Sequence, residues 1–182
     1  MDKPKVLILI DTPGWAHDFI SRGIIKYSTK FECVAKTPNE VTEEDAKYDV
    51  VFAMNYDMWR CLGDRQRWLR GKRCVGERRG LSEPMLLPKE GTNSWSAIAV
   101  NSYGMYERLR SEFPQLKTIY YTPNGVDVEV FVPHPLEVNR FEVGWAGTVE
   151  RACKRADLAR KLKYPVRAVS YTHLRAHETV LD

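Results

Sequence analysis

Two segments decide the fold of this chain: TIYYTPNGVDVEVF (residues 118–131) and FEVGWAGTVERACK (residues 141–154). In the first, an alternating run predicts a strand, and the Asn-Gly pair at 124–125 breaks it where a positive φ is needed. Pro133 and Pro135 predict an extended connector, because proline has no amide hydrogen for a helix or a central strand. The second segment predicts a new strand, then a glycine turn that opens a basic helix. We therefore expect a domain boundary here.

The chain before this stretch alternates apolar runs with segments of helical spacing. Strands are predicted at 5–10, 31–35, 49–54, 73–76, 97–100 and 119–122. Helices are predicted at 15–29, in a weak form at 42–47, over one long segment that carries Trp59, Leu62 and Leu69, and after Ser102. This alternation predicts an α/β fold with a Rossmann-like parallel sheet flanked by helices.

Composition excludes several classes of protein. The longest aliphatic run, 6–10, is too short to span a bilayer, and no secretory leader precedes the first strand, so a cytoplasmic protein is expected. The four cysteines include no CxxC pair, which argues against a disulfide framework and a thiolate zinc site. The net charge of +4 favours anionic ligands without requiring nucleic acid.

Candidate site residues follow the predicted strands, since ligands of open parallel sheets bind at the carboxyl ends of the strands. Gly14 lies in the first strand-to-helix loop, where free amides favour an anion or a sugar hydroxyl; a plain tight turn is the alternative. His17 is either a binding group or a solvated surface residue. The remaining cleft candidates are Trp15, Asn55, Glu77, Arg78 and Arg79.

Basic residues interleaved with tryptophan occupy residues 59–79. Such a surface suits an anionic acceptor or peripheral contact with an anionic membrane, and a solvated helix face is the alternative.

A second glycine turn at Gly147 is followed by Arg151 and Lys154. Three cations, the third being Arg155, then share one face in the first turns of a predicted helix, where the macrodipole disfavours positive charge. An anion offsets that cost, so this stretch predicts a diphosphate cradle; a merely basic exposed helix is the alternative. His173 and His177 have HxxxH spacing, but without a third ligand they do not predict a metal site.

Several motifs in this order resemble glycosyltransferase family 4, retaining enzymes of GT-B architecture, over residues 3–169. They are KVLILI, YDVVFAMNYD, SAIAVNSYGMYERL, IYYTPNGVDVEVF and FEVGWAGTVERACKRADL. The resemblance implies two Rossmann-like domains that face each other across a cleft. The first chiefly binds the acceptor and the second binds the nucleotide sugar, without a required metal or further cofactor.

The resemblance also implies roles for single residues. Gly14 corresponds to the amide that approaches the donor phosphates or sugar, and Lys154 to the lysine on the diphosphate. Trp145 stands where the family has an arginine, so Arg151 is the candidate replacement. Glu77 stands near the place of a family histidine. The acidic E-x7-E pair of the second domain is not reached, and no catalytic residue is assigned.

The expected organisation is therefore an acceptor-side domain at 1–133, the linker and first elements of a donor domain at 134–169, and a non-native tail at 170–182. The tail, within VSYTHLRAHETVLD, is similar to translated sequencing-adapter read-through. The expected activity of the intact enzyme is retaining transfer from a nucleotide sugar to a glycan, lipid or other hydroxyl acceptor. This fragment is expected to be inactive alone.

A receiver-like signalling domain is the alternative function. Asp11 and Asp57 follow the first and third strands and would form an acidic phosphoacceptor site that holds Mg²⁺. Asp57 is more simply the N-cap of the next helix. A receiver also needs a lysine after its fifth strand, where this chain has Asn101 and Ser102.

Overall fold

A computed structural model describes residues 2–69, 72–78, 96–112, 114, 118–132, 143–146, 154–163 and 165–169. The chain forms two compact units, Met1–Phe131 and Val132–Asp182. The first contains a six-stranded parallel sheet and the second a two-stranded parallel pair. The predicted α/β, Rossmann-like class is confirmed. The assignment of acceptor-side and donor-side domains stays a prediction, and the tail at 170–182 lies outside the described residues.

The sheet of the first unit consists of β1 (Lys5–Leu9), β2 (Glu32–Lys36), β3 (Val50–Ala53), β4 (Arg73–Arg78), β5 (Ala97–Val100) and β6 (Ile119–Tyr121). Its α-helices are α1 (Ala16–Tyr27), α2 (Tyr56–Cys61) and α3 (Tyr103–Glu112), and its 3₁₀ helices are Pro38–Glu40, Glu43–Lys47 and Gly63–Leu69. The described elements of the second unit are β7 (Val143–Ala146), α4 (Ala156–Ala159) and β8 (Val166–Val169).

The strand order β2-β1-β3-β4-β5-β6 creates a topological switch point between β1 and β3. The chain moves from β1 to one side of the sheet to form β2, then returns to the other side of β1 to form β3. Leu9 pairs in register with Ala53, so both strands end at the same level. A crevice opens at such a point, outside the carboxyl ends of the two strands.

The core lies on both faces of the sheet, which explains the uninterrupted apolar run of β1. Leu7 and Leu9 belong to a cluster on one face, whereas Ile8 and Ile10 belong to a cluster on the other face. The second cluster packs against Ile20 and Ile24 of α1. Alternate residues of a strand point to opposite faces, so α1 is held directly beside the end of β1.

The predicted long helix over Trp59, Leu62 and Leu69 was wrong. Helix α2 ends at Cys61, and a 3₁₀ helix follows from Gly63. Gly63 has φ +52°, a left-handed value that interrupts a right-handed helix. The prediction that Asp57 is the N-cap of this helix was also wrong.

Asn55, rather than Asp57, caps α2. The side-chain oxygen of Asn55 accepts a hydrogen bond from the amide of Asp57 at 3.2 Å. Asp57 lies within the first turn of the helix.

In the second unit, the predicted basic helix is interrupted at Arg155. Helix α4 begins at Ala156, and Arg155 before it has φ +50°, in the left-handed region. The prediction that Lys154 and Arg155 share one continuous helix was therefore wrong, because the left-handed backbone of Arg155 interrupts a right-handed helix. Arg151 lies outside the described residues.

The last segment of the first unit is fastened to the end of α1. The hydroxyl of Tyr27 donates to Asp127 at 2.7 Å, and Nζ of Lys26 lies 3.2 Å from Asp127 and 2.6 Å from Glu129. The pKa of Asp127 is lowered, first by the Tyr27 hydrogen bond. These contacts join residues about a hundred positions apart, so they tie the last segment of this unit to its first helix.

None of the helices in the described ranges has the length and apolarity that a membrane span requires.

Candidate ligand site at the carboxyl edge of the sheet

The loop after β1 forms one wall of the crevice at the switch point. Gly14 in this loop has φ +77°, and the amide of Trp15 donates to the carbonyl of Thr12 at 3.2 Å to close the turn. A Cβ built on Gly14 meets no described atom within 4 Å. Glycine is therefore favoured here for its backbone conformation, and no described residue fills the space in front of it.

The amide of Gly14 is occupied by a side chain of the protein. It donates to Oδ2 of Asp18 at 2.7 Å, and Asp18 is only 6% exposed. Arg22 donates to the same carboxylate through Nε at 3.1 Å and Nη2 at 2.7 Å. The Gly14 amide and then Arg22 lower the pKa of Asp18, against the opposing effect of burial. The Gly14 amide is thus engaged by a carboxylate of the protein, and its predicted contact with a ligand stays a prediction.

His17 faces Asp11 across the same loop. Its Nδ1 lies 3.1 Å from Oδ1 of Asp11, an oxygen that also accepts the amide of Thr12 at 2.8 Å. The side chain of His17 is only 11% exposed, so the alternative of a solvated histidine is excluded. Among the described residues, Nδ1 has no aligned hydrogen-bond partner despite its burial. The two side chains are in close contact, but the contact lacks the alignment of a hydrogen bond.

Trp15 and Asn55 lie on either side of the switch point. Trp15 occupies the N-cap position of α1 and is 44% exposed. Asn55 directly follows Met54, whose amide donates to the carbonyl of Leu9 and so extends the pairing of β1 with β3. The side-chain oxygen of Asn55 serves as the cap of α2, which leaves its amide nitrogen as the group that can address a ligand.

The other predicted site residues are only partly described. Glu77 and Arg78 are the last two residues of β4, in register with Ala99 and Val100 of β5. Arg79, Gly147 and Arg151 lie outside the described residues.

Lys154 is exposed, and its carbonyl accepts a hydrogen bond from Nε1 of Trp145 at 3.0 Å. This hydrogen bond from Trp145 fixes the backbone that carries Lys154.

Asp18 was missed by the sequence analysis. Its spacing of four residues from Arg22 offered a signal, because positions four apart on a helix are neighbours. The proximity of Asp11 to His17 was also missed, since the turn that brings them together depends on the φ of Gly14.

Within the described part of the chain, no three His, Cys, Asp or Glu side chains come together as a metal site.

Neither a protein-family model nor a curated protein matches the sequence. Among solved structures, the fold is similar to the crystal structure of Anabaena Alr3699/HepE in complex with UDP and glucose. The TM-score is 0.58 at 14% sequence identity, and the match covers 98% of this chain and 64% of the Anabaena chain. The likeness is one of fold, and the present chain spans slightly less than two thirds of that protein's length.

Proposed function

We propose that this chain is the acceptor-side domain of a nucleotide-sugar-dependent glycosyltransferase of GT-B architecture, joined to the first elements of its donor domain. The observation that carries the proposal is the similarity of fold, over 98% of the chain, to a protein solved with UDP and glucose. The order of motifs in the sequence supports the same function independently. The acceptor-side domain is residues 1–133, and the donor-side elements are residues 134–169.

In the intact enzyme, the anomeric carbon of the sugar leaves a nucleoside diphosphate and joins an acceptor hydroxyl with retention of configuration. Lys154, with Gly147 and Arg151, stabilises the negative charge that develops on the leaving diphosphate. The acceptor is a glycan, a lipid or another hydroxyl compound, and no metal or further cofactor takes part. Exposed arginines such as Arg60 and Arg67 suit contact with an anionic acceptor or membrane surface.

The loop at Gly14 contributes shape to the site. Its amide is engaged by Asp18, while the absence of a Cβ leaves open space in front of the backbone. A donor sugar can therefore approach Gly14 closely without displacing a side chain. Hydrogen bonds to the ligand come instead from Asn55 and His17, and Trp15 contributes the exposed surface of its ring.

Binding of UDP to the 182-residue chain tests this function, with NMR spectra of the ¹⁵N-labelled protein as the readout. The variant Lys154→Ala should weaken UDP binding, because it removes a cation from the diphosphate. Lys161→Ala is the matched control, since Lys161 is an exposed lysine of the same unit. No binding at millimolar UDP, or equal weakening by both variants, counts against the proposal.

Sugar transfer by the isolated chain should be undetectable, because the rest of the donor site is missing. Incubation with labelled UDP-glucose and hydroxyl acceptors, followed by product analysis, checks this. Appreciable turnover would contradict the expected inactivity.

A receiver-like signalling domain is the second candidate, because the order β2-β1-β3-β4-β5 is that of flavodoxin-like folds. Asp57, its candidate phosphoacceptor, has a side chain that is 61% exposed and lies 3.8 Å from Arg60. Asn101, rather than a lysine, follows β5. Phosphorylation of Asp57 by acetyl phosphate would favour this candidate over the transferase.

A further inference from the structure

A cluster of tyrosine rings lies at the carboxyl edge of the sheet, beyond the crevice at the switch point. Tyr103 is the first residue of α3, soon after β5 ends, and Tyr121 is the last residue of β6. Their ring centroids are 5.8 Å apart at an interplanar angle of 80°. The sequence analysis did not single out either residue, and the site at Gly14 does not use them.

Both rings are accessible. Tyr103 is 60% exposed and Tyr121 is 45% exposed, although they contact each other. An edge-to-face pair leaves the face of one ring uncovered, and aromatic faces carry negative charge density. They therefore attract groups with weakly positive hydrogens and an apolar surface. The C–H side of a pyranose ring is such a group, and its hydroxyls remain free for polar contacts.

The cluster includes a third tyrosine and has polar neighbours. Tyr106 packs against Tyr103 with ring centroids 6.0 Å apart, and Arg110 donates to the hydroxyl of Tyr106 at 2.8 Å. The negative charge of Glu107 and its hydrogen bond with the Tyr103 hydroxyl raise the pKa of Tyr103, so the phenol is neutral and Glu107 holds its hydroxyl, while the ring remains exposed. Stacking rings beside hydroxyl groups match the alternating apolar and polar surfaces of a sugar.

We propose that Tyr103 and Tyr121 form a subsite for a distal sugar ring of an extended acceptor glycan. This inference rests on the proposed function and narrows its acceptor to an oligosaccharide. The order β3-β4-β5-β6 places β5 and β6 two and three strands from β3. At the usual spacing between strands this is roughly 10–15 Å from the switch point, farther than a single sugar ring extends. An acceptor that reaches both places must have several sugar units.

Titration of the full chain, labelled with ¹³C in its tyrosine rings, tests this subsite. The probes are neutral tetrasaccharides of glucose, N-acetylglucosamine and mannose, with each monosaccharide and uridine for comparison. The signals of Tyr103 and Tyr121 should shift with at least one tetrasaccharide. The matching monosaccharide should bind about tenfold more weakly, because it lacks the additional contacts.

Variants separate stacking from an effect on folding. Tyr103→Ala and Tyr121→Ala should each weaken tetrasaccharide binding about five- to tenfold, whereas Tyr103→Phe and Tyr121→Phe keep most of it. Tyr120→Ala is the matched control, since Tyr120 is an exposed residue of β6 on the opposite face of the strand. It should leave binding unchanged. Circular dichroism establishes that each variant is folded.

Several results would overturn the subsite: no binding of any tetrasaccharide, equal weakening by Tyr120→Ala, or shifts of the two rings with uridine alone. The subsite and the proposed function can be tested separately. Tyrosine-dependent binding of a tetrasaccharide without UDP binding would support the subsite and reject the transferase. UDP binding that depends on Lys154, without any saccharide-induced shift of the tyrosine signals, would support the transferase and reject the subsite.

Discussion

The amide of Gly14 donates to the carboxylate of Asp18 across 2.7 Å, so the first turn of α1 holds the loop that precedes it. A helix N-terminus favours negative charge, and here the protein supplies that charge itself. The loop is therefore fixed before any ligand arrives. Its conformation, the ionisation of Asp18 and the stability of the unit are linked, which gives measurable consequences.

Replacement of Gly14 by alanine should destabilise the chain through its backbone alone. At φ +77° an L-residue is strained by about 1–2 kcal/mol, whereas a Cβ at this position meets no described atom within 4 Å. The free energy of unfolding in urea, followed by circular dichroism, should fall by about that amount.

Gly23→Ala is the matched control for that variant. Gly23 lies inside α1, and a Cβ there also meets nothing within 4 Å. Alanine should raise stability by about 0.5–1 kcal/mol, because glycine is the poorer helix former. The same sign of change for both glycines would contradict the assigned role of φ at Gly14.

Asp18→Asn should make the chain less stable at neutral pH by about 1.5 kcal/mol or more, because a buried charge-assisted hydrogen bond is lost. The pKa of Asp18 is lowered in the folded chain, so its contribution is complete above the unfolded pKa of about 4. It is lost as the pH falls further through the folded pKa. Urea unfolding of both proteins between pH 3 and pH 7 should therefore show a difference that shrinks on acidification; a difference that grows would refute this linkage.

Lys36→Met should be strongly destabilising, because it removes the cation that faces the buried carboxylate of Asp45 and leaves that charge with its hydrogen bond from the Thr42 amide. Asp45 is 1% exposed, and Nζ of Lys36 lies 2.7 and 2.9 Å from its two oxygens. Breaking a buried pair costs about 3 kcal/mol or more. Arg60→Ala, which removes the exposed partner of Asp57, should cost less than about 0.5 kcal/mol in the same unfolding experiment. Similar losses in the two variants would mean that Asp45 is solvated.

Alkylation should distinguish two cysteines by their environment. Burial raises the pKa of the Cys74 thiol to about 11, whereas Cys61 is exposed. At pH 8 only about a thousandth of Cys74 is thiolate, and the thiolate is the reactive form. Peptide mapping after brief treatment with iodoacetamide should therefore find Cys61 modified and Cys74 intact until urea is added. Cys61→Ser should abolish the modification at that position, and equally fast labelling of Cys74 in the native chain would show that its burial is transient.

The sequence reveals the sheet better than it reveals the site. The apolar run of β1 is readable because a strand buried on both faces tolerates no polar residue. The break at Gly63 is hidden, since Leu62 and Leu69 keep helical spacing on both sides and spacing does not encode the sign of φ. Likewise, the left-handed conformation of Arg155 could not be anticipated, because few residues other than glycine adopt it.

Contacts that define the sites depend on the arrangement of elements. Asp18 looks like an ordinary acidic residue of a first helical turn, and only the turn at Gly14 brings the amide to its carboxylate. Tyr103 and Tyr121 are in contact because β5 lies next to β6. The order of the strands in the sheet cannot be predicted from the sequence of either segment. Propensity and periodicity specify local elements, whereas such pairs require the tertiary fold.

Helix α1 connects two sets of contacts that lie at its opposite ends. Its twelve residues span about 18 Å, with the Gly14 loop at one end and the bonds from Lys26 and Tyr27 to Asp127 at the other. If the chain is pulled from residue 131 onward, the force reaches these bonds before it reaches β6. Tension applied at the end of the first unit would therefore be transmitted along α1, whose other end holds the Gly14 loop through Asp18.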